Sequence, residues 1–274
     1  MDRSWVPPFT CDLTYEEMLD LLADWAERAE QLRRQGAELV LVTGAEISLL
    51  NKGFLPGDDI GDRMELLADL QRLRQLIAEV PPRVNDFLGQ AVAVVRERFG
   101  GRITYASMPF EGVDWTPFDI ISVDLYRSAE VADRYAAGIR SLVARGKPVA
   151  ITEFGSATYA GAGDKGARSG EIVEWDKHTV IPLRLNGDYI RDEEEQARYV
   201  RELLEIFAAE GVDSAFVFSF VLYQLPHRED PRNDLDIASY GIVKVYEDRF
   251  GDTYPDMRWE PKAAFAALAG YYGG

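Results

Sequence analysis

In 274 residues the chain has one cysteine, Cys11, and two histidines, His178 and His227. A single thiol excludes an internal disulfide and is compatible with the cytosol. Isolated histidines with no Cys/His cluster leave no zinc-type ligand set, so neither a metal nor a cofactor is expected, and His178 reads as an ordinary loop residue. Basic residues are scarce: 30 Lys and Arg stand against 47 Asp and Glu, a formal net charge of −17. A surface of that sign repels polyphosphate and anionic lipid, which argues against nucleic acid and membrane as partners and favours a neutral or cationic ligand. Long hydrophobic runs are missing as well. The most apolar stretch, around Ala215 to Leu222, falls far below the roughly 20 residues that span a bilayer. The opening Met-Asp-Arg-Ser-Trp-Val-Pro-Pro lacks the basic start and apolar segment of a signal peptide, so a cytoplasmic location is expected.

Several chemical signatures are missing too. The glycine-rich stretch Ala160 to Ala167 has neither the Lys-Ser/Thr ending of a phosphate-binding loop nor a G-x-G-x-x-G helix start. There is no G-x-S-x-G elbow, and a Ser/His/Asp triad would have to be assembled from unrelated loops. The spacing of Asp230, Asp234 and Asp236 departs from a calcium-binding loop, so this segment is expected to be a solvated acidic loop. No low-complexity linker and no internal repeat divide the sequence, which reads as one domain over residues 1–274.

What is present is alternation. Thr14 sits three residues before Glu17 and opens a helical pattern over 14–35, closed by Gly36. A strand follows at Leu39 to Val42, then an irregular loop, then helical patterns at 60–79 and 82–99 separated by Pro81-Pro82. The stripe Met64, Leu67, Leu70, Leu73, Leu76 and Ile77 is expected to pack against the sheet. Strands are predicted at 102–108, 119–126, 147–154 and 212–222, and helices at 129–145, 192–210 and 261–272. Strand followed by helix, repeated, argues for parallel β/α units and an α/β fold of the TIM-type (β/α) barrel kind.

Two of these strands carry a carboxylate at the carboxyl end, where such folds bind ligands. Lys147 to Gly155 is a short apolar run ending in Thr152-Glu153-Phe154, and Ala37 to Glu46 is a second run ending in Gly44-Ala45-Glu46. By period-two alternation Val40, Val42, Gly44 and Glu46 share one face, as do Val149, Ile151 and Glu153. A lone glutamate in this position serves a salt bridge or a cap as readily as catalysis. Two that point into one cavity are what a glycosidase needs, one to protonate the leaving oxygen and one to attack the anomeric carbon, about 5 to 5.5 Å apart for retention. Arg63, Trp115, Asp124, Tyr126 and Tyr223 lie on strand-end loops or on the inward parity and are the candidate lining of a substrate cleft. Trp115, Tyr126, Tyr159 and Tyr223 offer flat faces on which a sugar ring stacks, although aromatics also fill barrel tops as plain core.

With both glutamates placed, the chain resembles the clan A glycoside hydrolases, (β/α)8 barrels in which the acid/base glutamate follows the fourth strand and the nucleophile the seventh. Taking the Glu46 strand as fourth makes the Glu153 strand seventh, and Thr152-Glu153-Phe154-Gly155 resembles the nucleophile motif. The resemblance implies a retaining hydrolase of a neutral glycoside with Glu153 as nucleophile and Glu46 as acid/base. More closely, Gly44-Ala-Glu-Ile-Ser48, Gly53-Phe-Leu-Pro-Gly57, Ile103-Thr-Tyr-Ala-Ser107, Val113-Asp-Trp115, Val123-Asp-Leu-Tyr-Arg127 and Asp234-Leu-Asp-Ile-Ala-Ser-Tyr-Gly241 resemble a bacterial family named for abortive infection. That likeness opens the alternative of a non-catalytic carbohydrate-binding or phage-defence protein that keeps the barrel. Clan members carry Asn before the acid/base glutamate, where it bonds the sugar 2-hydroxyl, and here the position is Ala45. The same strand count leaves only Ser4 to Phe9 to serve as a third strand. An incomplete barrel is therefore expected, with the equivalents of strands three or four through eight, truncated at the N-terminus or completed by a partner. The Val212 to Val221 strand, with Phe216, Phe218 and Phe220, would then be an open apolar edge through which the chain could self-associate.

Overall fold

A computed structural model describes residues 13–68, 70–76, 78–176 and 181–273. Cys11, His178 and the Ser4 to Phe9 segment fall outside them. The chain divides into two compact units, Met1–Asp124 and Leu125–Gly274.

In the first unit, helix α1 (Tyr15–Arg34) starts at Thr14. Its Oγ1 accepts from Glu17 N at 3.2 Å, while the Glu17 carboxylate accepts from Thr14 N at 2.7 Å. These reciprocal bonds satisfy two amides that a helix start leaves bare. Strand β1 (Val40–Ala45), a single turn α2 (Ile47–Leu50), and helices α3 (Ile60–Ala68), α4 (Leu70–Leu76) and α5 (Val80–Arg96) follow. Pro81 and Pro82 occupy the first turn of α5, where a missing N–H leaves no bond unmade, so the expected break becomes a helix start. The expected stripe is corrected at its first member: Met64 is exposed, and Arg63 and Leu66 are the α3 side chains that are buried, because α3 packs on α2. Strands β2 (Arg102–Ser107) and β3 (Ile121–Asp124) complete a parallel trio in the order β1-β2-β3. Helix α5 turns Val84, Phe87, Leu88, Ala91 and Val95 inward, and Tyr15, Phe54 and Phe87 form a ring cluster with centroids 5.2 to 5.9 Å apart.

The second unit contains α6 (Tyr135–Val143), β4 (Val149–Phe154), β5 (Val173–Trp175), β6 (Pro182–Leu185), α7 (Glu193–Glu210), β7 (Ser214–Val217), β8 (Val243–Val245), β9 (Trp259–Pro261) and α8 (Ala263–Tyr272). Strands β4 and β7 pair in parallel, whereas β5-β6 and β8-β9 are antiparallel ribbons that the sequence pattern does not signal. Helix α6 starts six residues later than the expected 129, since 129–134 form turns. Asp192 caps α7 by accepting from Glu195 N at 2.8 Å, and Gly211, at φ 82°, closes it. The inner face of α7 buries Tyr199, Val200, Leu203, Leu204 and Phe207, with Phe207 meeting Phe154 of β4 edge-on at 5.1 Å. Five strands thus pair in parallel, β1, β2 and β3 within the first unit and β4 and β7 within the second. Strands β2, β3, β4 and β7 each lie within an expected strand, and β1 overlaps the expected Leu39 to Val42 but runs three residues further, to Ala45. None of the described helices is long and apolar enough to cross a membrane.

The acidic loop is a further correction. Asp230 is exposed, but Asp234 and Asp236 are buried, at 4% and 0% exposure. Arg191 reaches Asp234 at 2.7 Å and Asp236 at 2.8 Å; Lys262, itself fully buried, reaches Asp236 at 2.9 Å and Thr158 Oγ1 at 3.0 Å. His227 Nδ1 lies 3.0 Å from Asp234. These carboxylates are buried because cations from other segments meet them there, which sequence spacing does not reveal.

Candidate active site

In the second unit the candidate residue Glu153 stands at the end of β4. Val149, Ala150 and Ile151 are fully enclosed, and at Thr152 and Glu153 the strand reaches half-buried ground. Leu125 N donates to the Glu153 carbonyl at 2.8 Å, which sets the register of the next residue, Tyr126. Tyr126 Oη then donates to Glu153 Oε2 at 2.9 Å. The Tyr126 ring is held edge-on against Tyr240 at 5.9 Å. Tyr240 Oη in turn donates to the Ala167 carbonyl at 2.9 Å and accepts from Gly170 N at 3.0 Å. Burial pushes the Glu153 carboxyl above the ordinary range, and the Tyr126 hydroxyl offsets part of that rise. A carboxylate with one oxygen fixed by a donor and the other not so engaged has the directionality of a nucleophile, while its raised pKa also lets it hold a proton. Gly155 follows directly; a Cβ there would sit 2.4 Å from the Phe218 carbonyl, so only glycine lets the chain beyond β7 come this close. Tyr223 is exposed, and Tyr159 is buried against Tyr189 at 5.0 Å.

Glu46 lies in the first unit, and here the alternation argument needs correction. Strand β1 ends at Ala45, and its register with β2 shifts between Val42 and Ala45, so period-two parity does not extend to residue 46. Val40 and Val42 are 39% and 45% exposed, not core-lining. Glu46 instead takes its direction from a left-handed turn, φ 43° and ψ 41°, at the start of α2. It is the one non-glycine residue with positive φ among the described residues. Trp115 is buried edge-on to Phe118 at 5.6 Å, and Asp124 is buried at the end of β3. Arg63 is wholly enclosed and serves backbone carbonyls, with Nε donating to Leu49 and Nη1 to Gly57 at 3.1 Å.

Sequence reasoning passes over Glu111. Its only signal is a place between Pro109 and Gly112 just past a strand, yet it is 0% exposed. Its carboxylate accepts from Tyr105 Oη at 3.0 Å, Met108 N at 3.0 Å and Ser48 N at 3.1 Å. Burial pushes its pKa up, against the pull of those donors. Among the described residues no group of three or more His, Cys, Asp or Glu is placed to hold a metal ion.

No protein-family model matches the chain. No curated protein matches it either, so the abortive-infection resemblance gains no support there. Solved structures do match. A GH113 β-1,4-mannanase superposes with a TM-score of 0.56 at 18% identity, over 95% of this chain and 62% of that one. The GH113 β-mannanase AaManA from Alicyclobacillus acidocaldarius, in complex with ManMIm, gives 0.53 at 19% identity, over 94% and 61%. The chain therefore spans less than two thirds of the mannanases' length. At these identities the likeness establishes the fold, which is α/β of the TIM-type (β/α) barrel kind found in glycoside hydrolases.

Proposed function

We propose that the chain is a retaining glycoside hydrolase, or a close relative of one, acting on a neutral glycoside. The observation that carries this reading is Glu153: half-buried at the carboxyl end of a parallel strand, with Oε2 fixed by the Tyr126 hydroxyl at 2.9 Å. In this reading the Glu153 carboxylate attacks the anomeric carbon as the glycosidic bond breaks, and Glu46 gives its proton to the departing oxygen. Water, deprotonated by Glu46, then displaces Glu153 from the glycosyl-enzyme. The charge of −17 disfavours uronic or sulfated glycans and leaves neutral sugars, among which a β-1,4-mannan is the first to try because of the fold's neighbours.

The second reading, a carbohydrate-binding protein without turnover, is favoured by one residue. Ala45 stands where clan A hydrolases carry the asparagine that bonds the sugar 2-hydroxyl, a contact that strengthens in the transition state. The deciding experiment incubates the protein with activated 2-deoxy-2-fluoro-β-mannoside, glucoside and xyloside and follows intact mass. A stable adduct on the peptide containing Glu153, missing from Glu153→Gln, is the expected result. No adduct from any sugar, or a sugar-bound crystal structure with the two carboxyl groups well beyond about 10 Å apart, refutes the enzymatic reading. Sugar binding without an adduct establishes the second one.

A further inference from the structure

Glu46 occupies a conformation that an L-residue avoids, at a cost of roughly 1 to 2 kcal/mol. Such a residue persists only where its surroundings over-determine it. The fixings are on either side of it. Glu46 N donates to the Ala106 carbonyl of β2 at 2.9 Å. Beyond it, the first two amides of α2 are met by side chains from elsewhere in the unit: Ile47 N donates to Tyr105 Oη at 2.7 Å, and Ser48 N to Glu111 Oε1 at 3.1 Å. Tyr105 Oη in turn lies 3.0 Å from both Glu111 oxygens and gives its single proton to that carboxylate. A short polar residue at the start of a helix ordinarily turns its own side chain back onto the second or third amide. Glu46 makes no such cap bond, and Tyr105 and Glu111 hold the amides in its place.

The cap is rigid. Tyr105 and Glu111 are both at 0% exposure, and the ring of Tyr105 would touch a Cβ on Gly44 at 3.5 Å, so it packs along the very turn that leads into Glu46. Met108 N anchors the other Glu111 oxygen at 3.0 Å, tying the cap to the end of β2. Burial raises the Tyr105 hydroxyl well above its ordinary value, with Glu111 and then Glu46 adding to the rise, so the phenol keeps its proton and remains a donor.

We propose that Tyr105 and Glu111 are positioning residues for Glu46: by capping Ile47 N and Ser48 N they fix the left-handed turn and hence where the Glu46 carboxyl points. The inference rests on the reading of Glu46 as the acid/base. Misplacing a reacting group by about 1 Å costs on the order of a hundredfold in rate, and the loss should follow the need for a proton. Glycosides with a poor leaving group need the acid, whereas those with a dinitrophenol leaving group depart almost unaided.

The test is Tyr105→Phe, which keeps the ring and deletes the cap oxygen, with Glu111→Gln carrying the same measurements should the first variant not fold. The expected result is a loss of about tenfold or more in kcat with alkyl or sugar leaving groups, KM little changed, and a much smaller loss with 2,4-dinitrophenyl glycosides. Equal losses across leaving groups, or none, overturn the proposal. The 13Cδ resonance of Glu46, recorded in wild type and variant without any substrate, moves if the cap orients the carboxyl and stays fixed if it does not. A wild-type protein that turns over no glycoside would sink the hydrolase reading alone; the resonance would still decide this one.

Discussion

Removing the buried cation Lys262 should destabilise the second unit, and removing its partner as well should return much of the loss. Lys262 Nζ lies 2.9 Å from Asp236 Oδ1 and 3.0 Å from Thr158 Oγ1, with Lys262 and Asp236 both at 0% side-chain exposure. At an effective dielectric constant of about 20, unit charges at that separation attract by about 6 kcal/mol. Against this stands a desolvation penalty of several kcal/mol for each ion. Burial pushes the Lys262 pKa down in spite of Asp236, which says that the penalty is not fully offset. The pair as a whole is therefore worth little, while half of it is costly. Lys262→Met leaves Asp236 with Arg191, at 2.8 Å, as its cation among the described residues and should cost about 3 kcal/mol, near the lower end for a broken buried pair. Asp236→Asn leaves Lys262 with the weaker attraction of Glu193 and should cost about 4 kcal/mol. The double variant should fall short of the sum of the singles by about 2 to 3 kcal/mol, since neither charge is then left alone. Urea titration with linear extrapolation reads these differences, and Lys262→Met should lower Tm by roughly 6 to 12 °C. A double variant that loses the sum of the singles within about 0.5 kcal/mol refutes the reasoning, because the two ions would then not be coupled.

Two further outcomes follow from the neighbourhood of β4. Gly155→Ala places a methyl group 2.4 Å from the Phe218 carbonyl, a backbone atom that can yield only by moving the chain after β7; a loss of about 1 to 3 kcal/mol is expected, and unchanged thermal unfolding would count against the close approach. Glu153→Gln should unfold at a higher temperature than wild type at neutral pH. Burial raises the folded-state pKa of Glu153 above its unfolded value, so its stabilising effect is fully present below the unfolded pKa and is lost as pH rises through the folded one. The advantage of glutamine should therefore vanish in acid, and an advantage independent of pH would show that Glu153 ionisation is not its origin.

How much of this is legible in the sequence depends on whether the signal is local. Thr14 with Glu17, Gly36, Pro81-Pro82 and Gly211 mark helix ends by chemistry that operates within a few residues, and each stands at a helix boundary in the structure. The parallel strands are apolar runs bounded by helices, and all five expected from the Glu46 segment onward are present, although the last contracts to Ser214–Val217. The two antiparallel ribbons are not legible. Val173-Glu-Trp175 and Val243-Lys-Val245 are three residues long, and β8 is joined to β9 across 13 residues, too long a connection for its turn residues to signal a hairpin. The buried charges at Asp236 and Lys262 are invisible for a related reason: what makes them tolerable is a partner 26 residues away. Site chemistry divides the same way. Glu153 and Tyr126 are legible as strand-end residues, whereas Glu111 acquires meaning only when it meets the amide of Ser48, 63 residues before it.

The left-handed turn at Glu46 has an evolutionary consequence. Glycine adopts φ near 43° without strain, and every glutamate codon becomes a glycine codon by a single base change. A lineage with no use for this carboxylate thus stands one downhill step from losing it, relieved of roughly 1 to 2 kcal/mol of backbone strain by the change. Most positions of a decaying enzyme drift for want of pressure to keep them; this one is pushed. Sequencing close relatives would therefore date disuse as well as descent, with glycine at position 46 marking branches where the carboxylate has fallen idle and glutamate marking those where selection still works against the gradient.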